Sequence, residues 1–377
     1  MANNQYFIGL MSGTSLDGVD VALIQTSHTG SIKLIDFNCI PLTKSLAEQL
    51  AQVSIADQIS LEQVGQLGIE LAKLCASGCN DILQKNGLIA EQITAIGSHG
   101  VTIRHRPELQ HSFTMQITDP NTLVALTGID VVADLRGMDM AYGGQGAPLV
   151  PKFHHALLAN SSEAQQGIFL NLGGIANITV IERNKPILGY DTGPANTLMN
   201  LWCKRHKGKD YDLNGNWAKT GRVCEQLLTK MLADPYFSIK APKSTGKEKF
   251  NLAWLEQMLD CVNEPVAHED VQATLLMLTA KSVAEQIEQF NVKQLYLCGG
   301  GAQNLFLVET LKQLLPSVDI RNTSALGVES DAIEAMAFAW FAYCRVNNIV
   351  ANVPSVTGAN SSVVLGAWYS ACGKELN

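Results

Sequence analysis

Near its amino terminus the chain reads Gly9-Leu10-Met11-Ser12-Gly13-Thr14-Ser15-Leu16-Asp17-Gly18-Val19-Asp20. Glycines let a backbone approach a polyanion closely, and the hydroxyls of Thr14 and Ser15 are donors for phosphate oxygens. Asp17 would then meet a metal bound to those phosphates, directly or through water. The same residue types also suit a plain hairpin turn, so this segment alone leaves two readings level. Neither common nucleotide fingerprint is present. Lys243-Ser244-Thr245-Gly246-Lys247-Glu248 has the wrong spacing for a Walker loop and a glutamate where a hydroxyl residue belongs. Gly299-Gly300-Gly301 and Gly143-Gly144-Gln145-Gly146 both lack the last glycine of a dinucleotide turn.

Asp191 is the sharpest single residue. It follows the apolar run Pro186–Tyr190 and precedes Thr192-Gly193-Pro194, with a helical pattern from Ala195. A carboxylate at a strand's carboxyl end, beside a helix whose first turn suits Pro194, is where open α/β sheets do chemistry. A helix-capping aspartate is the alternative. Glu334 is the sole charged residue between Ala332 and Cys344, and a buried carboxylate requires a partner. Either Ser330 caps that helix and Glu334 complements its dipole, or a sugar hydroxyl or amide pairs with Glu334. Ser98 and His99 follow the strand-like Ile93–Ile96, with Arg104 shortly after. His99, His105 and His111 are spaced wrongly for one helical face, so ligand contacts suit this region better than a metal. Asp134 and Arg136 end another short apolar run as an ion pair or a substrate clamp.

The elements that must position these residues form a pattern that occurs twice. Tyr6–Met11, Val19–Gln25 and Ile32–Ile40 read as three strands joined by tight turns. About 160 residues later Ile168–Leu172, Asn177–Glu182 and Pro186–Tyr190 repeat it around Gly173-Gly174. Two copies of one unit imply two similarly built domains. Helices are expected from Ser60 through Leu83, over His268–Phe290 and over Ser330–Val346. Leu295–Cys298 leads through Gly299–Gly301 into a helix from Asn304, a strand–turn–helix unit suited to a ligand. The glycines and prolines of Met138–Pro151 mark an expected interdomain segment.

A length of 377 residues also favours two domains. Hydrophobic residues at 46% and charged residues at 16% place the chain among globular proteins. A net charge of -8 argues against a nucleic-acid platform but not against a nucleotide held by backbone amides and a metal. The first Lys is Lys33 and no long apolar run occurs, so neither a secretory leader nor a membrane span is expected. Nine scattered cysteines without metal spacing fit reduced thiols and a cytoplasmic location.

Taken together, the segments resemble the anhydro-N-acetylmuramic acid kinase family. The resemblance runs through Gly9–Asp20, Ile96–Gly100, Val131–Arg136, Gly143–Pro151, Asn171–Gly174, Tyr190–Pro194, Pro242–Gly246, Cys298–Gly301 and Glu334–Phe338, in the family's order. It implies the two-domain actin/hexokinase-like fold of acetate and sugar kinases, heat-shock proteins and actin, with duplicated mixed sheets flanked by helices and a central cleft. The expected domains are 1–137 plus about 347–377, and 138–346. It implies ATP and Mg²⁺ as cofactors, and hydrolytic opening of a 1,6-anhydro sugar with phosphorylation of its 6-oxygen. By this resemblance Asp191 is the general base. Gly13, Thr14, Ser15, Leu16, Asp17, Gly18, Val19 and Asp20 surround the phosphates, with Asp17 toward the metal. Gly173, Gly174 and Gly193 line the phosphate side from the second domain, and Gly299, Gly300 and Gly301 lie near the nucleoside. Ser98, His99, Arg104, Asp134, Arg136 and Glu334 are the sugar candidates, with Arg104 or Arg136 facing the lactyl carboxylate. The expected partners are ATP and a small amino sugar, not nucleic acid or membrane, and a homodimer is left open. A hexose kinase of the same fold and an actin-like assembly protein are the rival readings.

Overall fold

The structure is a computed structural model, and it describes residues 4–13, 16–27, 30–161 and 165–371. Thr14 and Ser15 therefore lie outside the described residues. The chain divides into two units, Met1–Asn160 with Ala332–Asn377, and Ser161–Asp331.

In the first unit, Gln5–Met11 (β1) and Gly18–Thr26 (β2) are antiparallel, with Met11 opposite Asp20. Both carry apolar residues on both faces and bury them, Ile8, Leu10, Val21 and Leu23 among them. Ile32–Pro41 (β3) pairs antiparallel with β2 and, as the edge strand, keeps a largely half-exposed pattern. Ile93–Ser98 (β4) runs parallel to β1. Val101–Arg106 (β5) and Phe113–Ile117 (β6) form a separate hairpin, and Val131–Ala133 (β7) runs parallel to β4.

The second unit repeats the arrangement. Gly167–Leu172 (β8) and Ile175–Ile181 (β9) are antiparallel around the Gly173-Gly174 turn, and Leu188–Pro194 (β10) is antiparallel to β9. Gln294–Cys298 (β11) lies parallel to β8, and Asp319–Asn322 (β12) parallel to β11. Ala367–Tyr369 (β13) returns to the first unit, antiparallel to β7. The sheet orders are β3-β2-β1-β4-β7-β13 and β10-β9-β8-β11-β12. Five strands thus recur in one order and one set of directions, which is the duplicated mixed sheet of the actin/hexokinase-like class. Each sheet has its own core, one built around Ile8, Leu23 and Ile96 and the other around Leu170, Ile178 and Leu297.

The helices follow their sequence signals closely. Leu61–Asn86 starts at Ser60, whose hydroxyl accepts from Gln63 N (3.4 Å), and stops at Gly87 with φ 64°. His268–Ile287 and Ile333–Val346 are buried on most sides. The second of these has Ala332, not Ser330, at its start, without a side-chain cap. It lies directly on the first sheet. A Cβ on Gly9 would fall on the Ala335 carbonyl, and one on Gly97 on the Phe338 carbonyl. Only glycine at both strand positions lets the helix backbone come this close.

That contact moves the expected boundaries. Ile333–Val346, expected in the second domain, belongs to the first unit because it covers β1 and β4. The segment Met138–Pro151, expected to join the domains, also lies within the first unit. It takes in all but the first residue of the short helix Gly137–Ala141 and the start of Val150–Ala159.

Candidate active site

The parallel strands β1, β4 and β7 share one carboxyl edge, with Leu10 opposite Ser98 and Gly97 opposite Val132. The residues of interest in the first unit follow these strand ends, where such sheets hold ligands. After β1, the Ser12 hydroxyl donates to Gly18 O (2.9 Å) and Leu16 N donates to Gly13 O (3.2 Å). Leu16 takes a left-handed φ of 54°. Asp17 is exposed, Asp20 is half-buried on β2, and the Val19 side chain is buried in the core. Val19 can therefore offer a ligand only its backbone.

After β4, His99 N donates to Leu10 O (3.1 Å), tying the two strand ends together. His99 is only 6% exposed, and its Nδ1 lies 2.8 Å from Gly100 O while Nε2 lies 3.0 Å from Arg136 Nε and 2.9 Å from Nη2. A guanidinium only donates, so Nε2 must accept and Nδ1–H must donate to the carbonyl. The imidazole is thereby fixed neutral. Burial, reinforced by the Arg136 charge, pushes its pKa down to about 3. Arg136 Nη1 also donates to Gly146 O (2.8 Å). Burial draws the guanidinium down to about 10, against the pull of Glu334. Glu334 is raised above the ordinary carboxylate range, first by burial and then by Asp20, with Arg136 opposing. The half-buried Glu334 thus lies within electrostatic reach of both.

Two of the sugar candidates are placed differently. Arg104 donates through Nη1 to Val53 O (2.6 Å) and Ser54 O (3.1 Å), and through Nη2 to Ala56 O. Those carbonyls end the helix Lys44–Ile55, whose orphan acceptors and dipole attract a cation. Arg104 is a helix cap. Asp134 does not pair with Arg136; its Oδ1 accepts from Gly137 N (3.2 Å), and its φ is 50°. The side chain is exposed, so the expected ion pair is absent among the described residues.

In the second unit Asp191 lies inside β10, not beyond its end. It stands opposite Asn177, which stands opposite Asn171, which stands opposite Cys298. One row across the sheet thus leads to Gly173-Gly174, to Gly299–Gly301 and to the irregularity between Asp191 and Gly193. Pro194 is the last strand residue, and the helix Asn196–Lys207 has no side-chain cap, so Asp191 is no capping aspartate. Its Oδ2 accepts from Thr245 N (3.0 Å) and Ser244 Oγ (3.0 Å). Its backbone N donates to Lys243 O (3.0 Å), and its carbonyl accepts from the Tyr236 hydroxyl (2.7 Å). Among the described residues Oδ1 has no protein partner. Burial raises the Asp191 pKa, the Thr245 and Ser244 bonds restrain the rise, and Glu248 adds to it. Lys243, its own pKa lowered by burial, donates to Tyr236 O and Phe237 O (3.3 Å each) and holds this frame closed.

Ser244, Thr245, Tyr236 and Lys243 were not singled out from sequence as a frame for Asp191. The signal was the run Lys243–Glu248, rejected as a Walker loop, and its overlap with Pro242–Gly246, noted only as a segment of the family resemblance; its hydroxyl and amide donors serve a carboxylate instead. Nearby, Thr197 Oγ1 and Thr245 Oγ1 are buried without a partner among the described residues. A Cβ on Gly174 would lie 2.7 Å from Thr197 Oγ1 and 3.9 Å from Lys247 Nζ. Unpaired hydroxyls, a bare glycine turn and a lysine fit an incoming phosphate. Gly300 has open space where a side chain would be, whereas a Cβ on Gly193 would meet Phe237, giving Gly193 a packing reason as well.

A family model for anhydro-N-acetylmuramic acid kinase matches residues 5–371. The chain belongs to that family. Curated relatives agree over nearly the whole length. The anhydro-N-acetylmuramic acid kinase of Pasteurella multocida is 46% identical over 367 residues, covering 97% of this chain and 96% of the relative. That of Haemophilus influenzae is 45% identical over 377 residues, covering 97% and 98%. That of Pseudomonas fluorescens is 47% identical over 367 residues, covering 96% and 99%. Among solved structures, the component A of (R)-2-hydroxyglutaryl-CoA dehydratase from Acidaminococcus fermentans aligns at a TM-score of 0.42 and 12% identity, covering 88% of this chain and 99% of that one. Family membership makes the chain a kinase that uses ATP. No helix among the described residues is long and apolar enough to cross a membrane.

Proposed function

We propose that the chain transfers the γ-phosphoryl group of ATP to the 6-oxygen of 1,6-anhydro-N-acetylmuramic acid while water opens the anhydro ring. The products are N-acetylmuramic acid 6-phosphate and ADP. Within a family that carries this name, the supporting observation is the Asp191 carboxylate, held by two donors on Oδ2 and left open at Oδ1. Such a carboxylate is oriented to take a proton.

In this reading Asp191 Oδ1 removes a proton from a water that attacks the anomeric carbon. The bond between that carbon and the 6-oxygen breaks, and its electron pair goes to the 6-oxygen. The 6-oxygen bonds to phosphorus as the bond to the β-phosphate oxygen breaks. An inverting glycosidase needs a second carboxyl to protonate its leaving oxygen. Here phosphorus captures that oxygen, so one carboxylate suffices. The loop Gly13–Asp20, Thr14 and Ser15 included, would surround the β- and γ-phosphates. In the second unit Gly173, Gly174 and Gly193 would be the phosphate-lining glycines, and Gly299–Gly301 would hold the nucleoside. Mg²⁺, when bound with the nucleotide, spreads the charge that develops on the phosphate oxygens, and Asp17 is the exposed carboxylate suited to it through water. Ser98, His99, Arg136 and Glu334 would contact the sugar, with Arg136 toward the lactyl carboxylate. A cytoplasmic location belongs to the same proposal, and the eight described cysteines are all free.

Turnover in oxygen-18 water tests the scheme. Label should enter the anomeric hydroxyl and stay out of the phosphate ester, and the α anomer should precede mutarotation. Label in the ester, an early β product, or equal turnover of glucose would refute it.

A further inference from the structure

Asp139 has no part in the chemistry above, yet among the described residues it is the most completely enclosed carboxylate of the first unit, at 0% exposure. No basic side chain pairs with it among the described residues. Its Oδ2 accepts from Gly146 N (2.8 Å), and its Oδ1 accepts from Asn352 Nδ2 (2.8 Å) and Thr357 Oγ1 (2.8 Å). All three partners are donors, and a carboxylate is the one short side chain that offers acceptors alone on both atoms. The surrounding backbone closes on the same point. Gly144 N donates to Asp139 O (2.9 Å) and Gln145 N to Thr357 O (2.8 Å). Gly143 and Gly146 take φ of 82° and 69°, and a Cβ on Gly144 would strike Asp139 Oδ2. The loop is thus moulded around the carboxylate and fastened to the far carboxyl-terminal segment.

The fastened loop ends at Gly146, whose carbonyl receives Arg136 Nη1 while Arg136 Nε and Nη2 hold His99 Nε2. A guanidinium held on two sides keeps N–H groups on both terminal nitrogens for a planar anion. We propose that Asp139 is a positioning residue for sugar binding: by fixing Gly146 it sets the orientation in which Arg136 meets the substrate carboxylate. This rests on the reading of Arg136 given above. An Asn at 139 would turn a donor toward at least one donor, release the loop and let the guanidinium rotate, without touching the nucleotide turns.

Steady-state kinetics of D139N, R136A, their double variant and T357V, each with anhydro sugar and ATP varied in turn, test the idea. The expected result for D139N is a sugar KM raised about tenfold, with the KM for ATP unchanged and kcat within about threefold. R136A should raise the sugar KM further, and the double variant should be no worse than R136A alone, since both changes remove one contact. T357V, which loses one bond to Oδ1, should raise the sugar KM about threefold and carries the test if D139N does not fold. A D139N or T357V enzyme that loses only active fraction, with both KM values intact, overturns the inference while R136A still supports the Arg136 reading. A sugar KM unmoved in R136A overturns that reading and this inference together.

Discussion

Asp191 works through one oxygen because its neighbours occupy the other. Replacing it with Asn should leave Mg-ATP binding intact and lower kcat by about 10²–10⁴-fold, the usual loss for a general base. The pH profile adds a finer test. Burial lifts the Asp191 pKa while the Ser244 hydroxyl and Thr245 amide hold it down. Activity needs the ionised form, so the acid limb of kcat/KM should lie above the ordinary carboxylate range. In S244A it should move higher still, because a bond favouring the charged form is gone. A limb that stays put or falls would show that another group titrates. The histidines give a stability prediction. Burial holds His99 and His154 down at about 3, with Arg136 contributing at His99. Between about 3 and the unfolded value of about 6.5 the unfolded chain binds the extra protons, so stability is lost as pH falls through that window. Urea denaturation at pH 7 and pH 5 should differ by about 2 kcal/mol for each imidazole, and H154Q should narrow the gap by that amount. At this scale the burial of Glu334 was legible because a lone carboxylate in an apolar run is conspicuous, whereas Asp191 was picked out as a strand-end residue and lies inside its strand. Arg104 was misread because its partners are the backbone carbonyls of a helix end some fifty positions away, which composition does not reveal.

The helix Ile333–Val346 and the sheet beneath it are a single construction. Eleven of its residues are buried, and its carbonyls at Ala335 and Phe338 lie where side chains on Gly9 and Gly97 would be. G97A should therefore cost about 1–3 kcal/mol through forced displacement of the helix, although alanine is otherwise a better strand and helix residue than glycine. Equilibrium unfolding in urea would measure it, and a neutral or stabilising result would mean that the helix shifts freely. G65A is the control: it lies in Leu61–Asn86 with open space around it, and it should stabilise by about 0.5–1 kcal/mol. The strands could be found in the sequence because tight turns of Gly, Ser and Asp separate short apolar runs twice over. The extension of β10 through Asp191 could not. It depends on cross-strand pairing with Asn177 and on Lys243 O receiving the Asp191 amide, and neither partner is local.

The first unit is built from both ends of the chain, and the second lies wholly between them. A fragment spanning 161–331 contains every residue of the core around Leu170 and Leu297. It should fold alone and melt cooperatively by near-ultraviolet circular dichroism. A fragment spanning 1–160 lacks the helix that covers Gly9 and Gly97 and should not; the reverse outcome would contradict the division. The existence of two related units was legible because the strand pattern repeats. Their boundaries were not, because the glycines of Gly143–Gly146 resemble a linker and instead wrap the Asp139 carboxylate. The return of the chain to its first unit also sets a schedule during synthesis. At roughly 5–20 residues per second, the ribosome needs on the order of 10–40 s after Asn160 to reach Val346. Throughout that interval the face of β1 and β4 destined for Ile333–Val346 is without its cover, whereas the middle of the chain is complete once Asp331 has been added. The unit begun first is therefore completed last, and the apolar face it shows in the meantime is what a cell's holding chaperones bind.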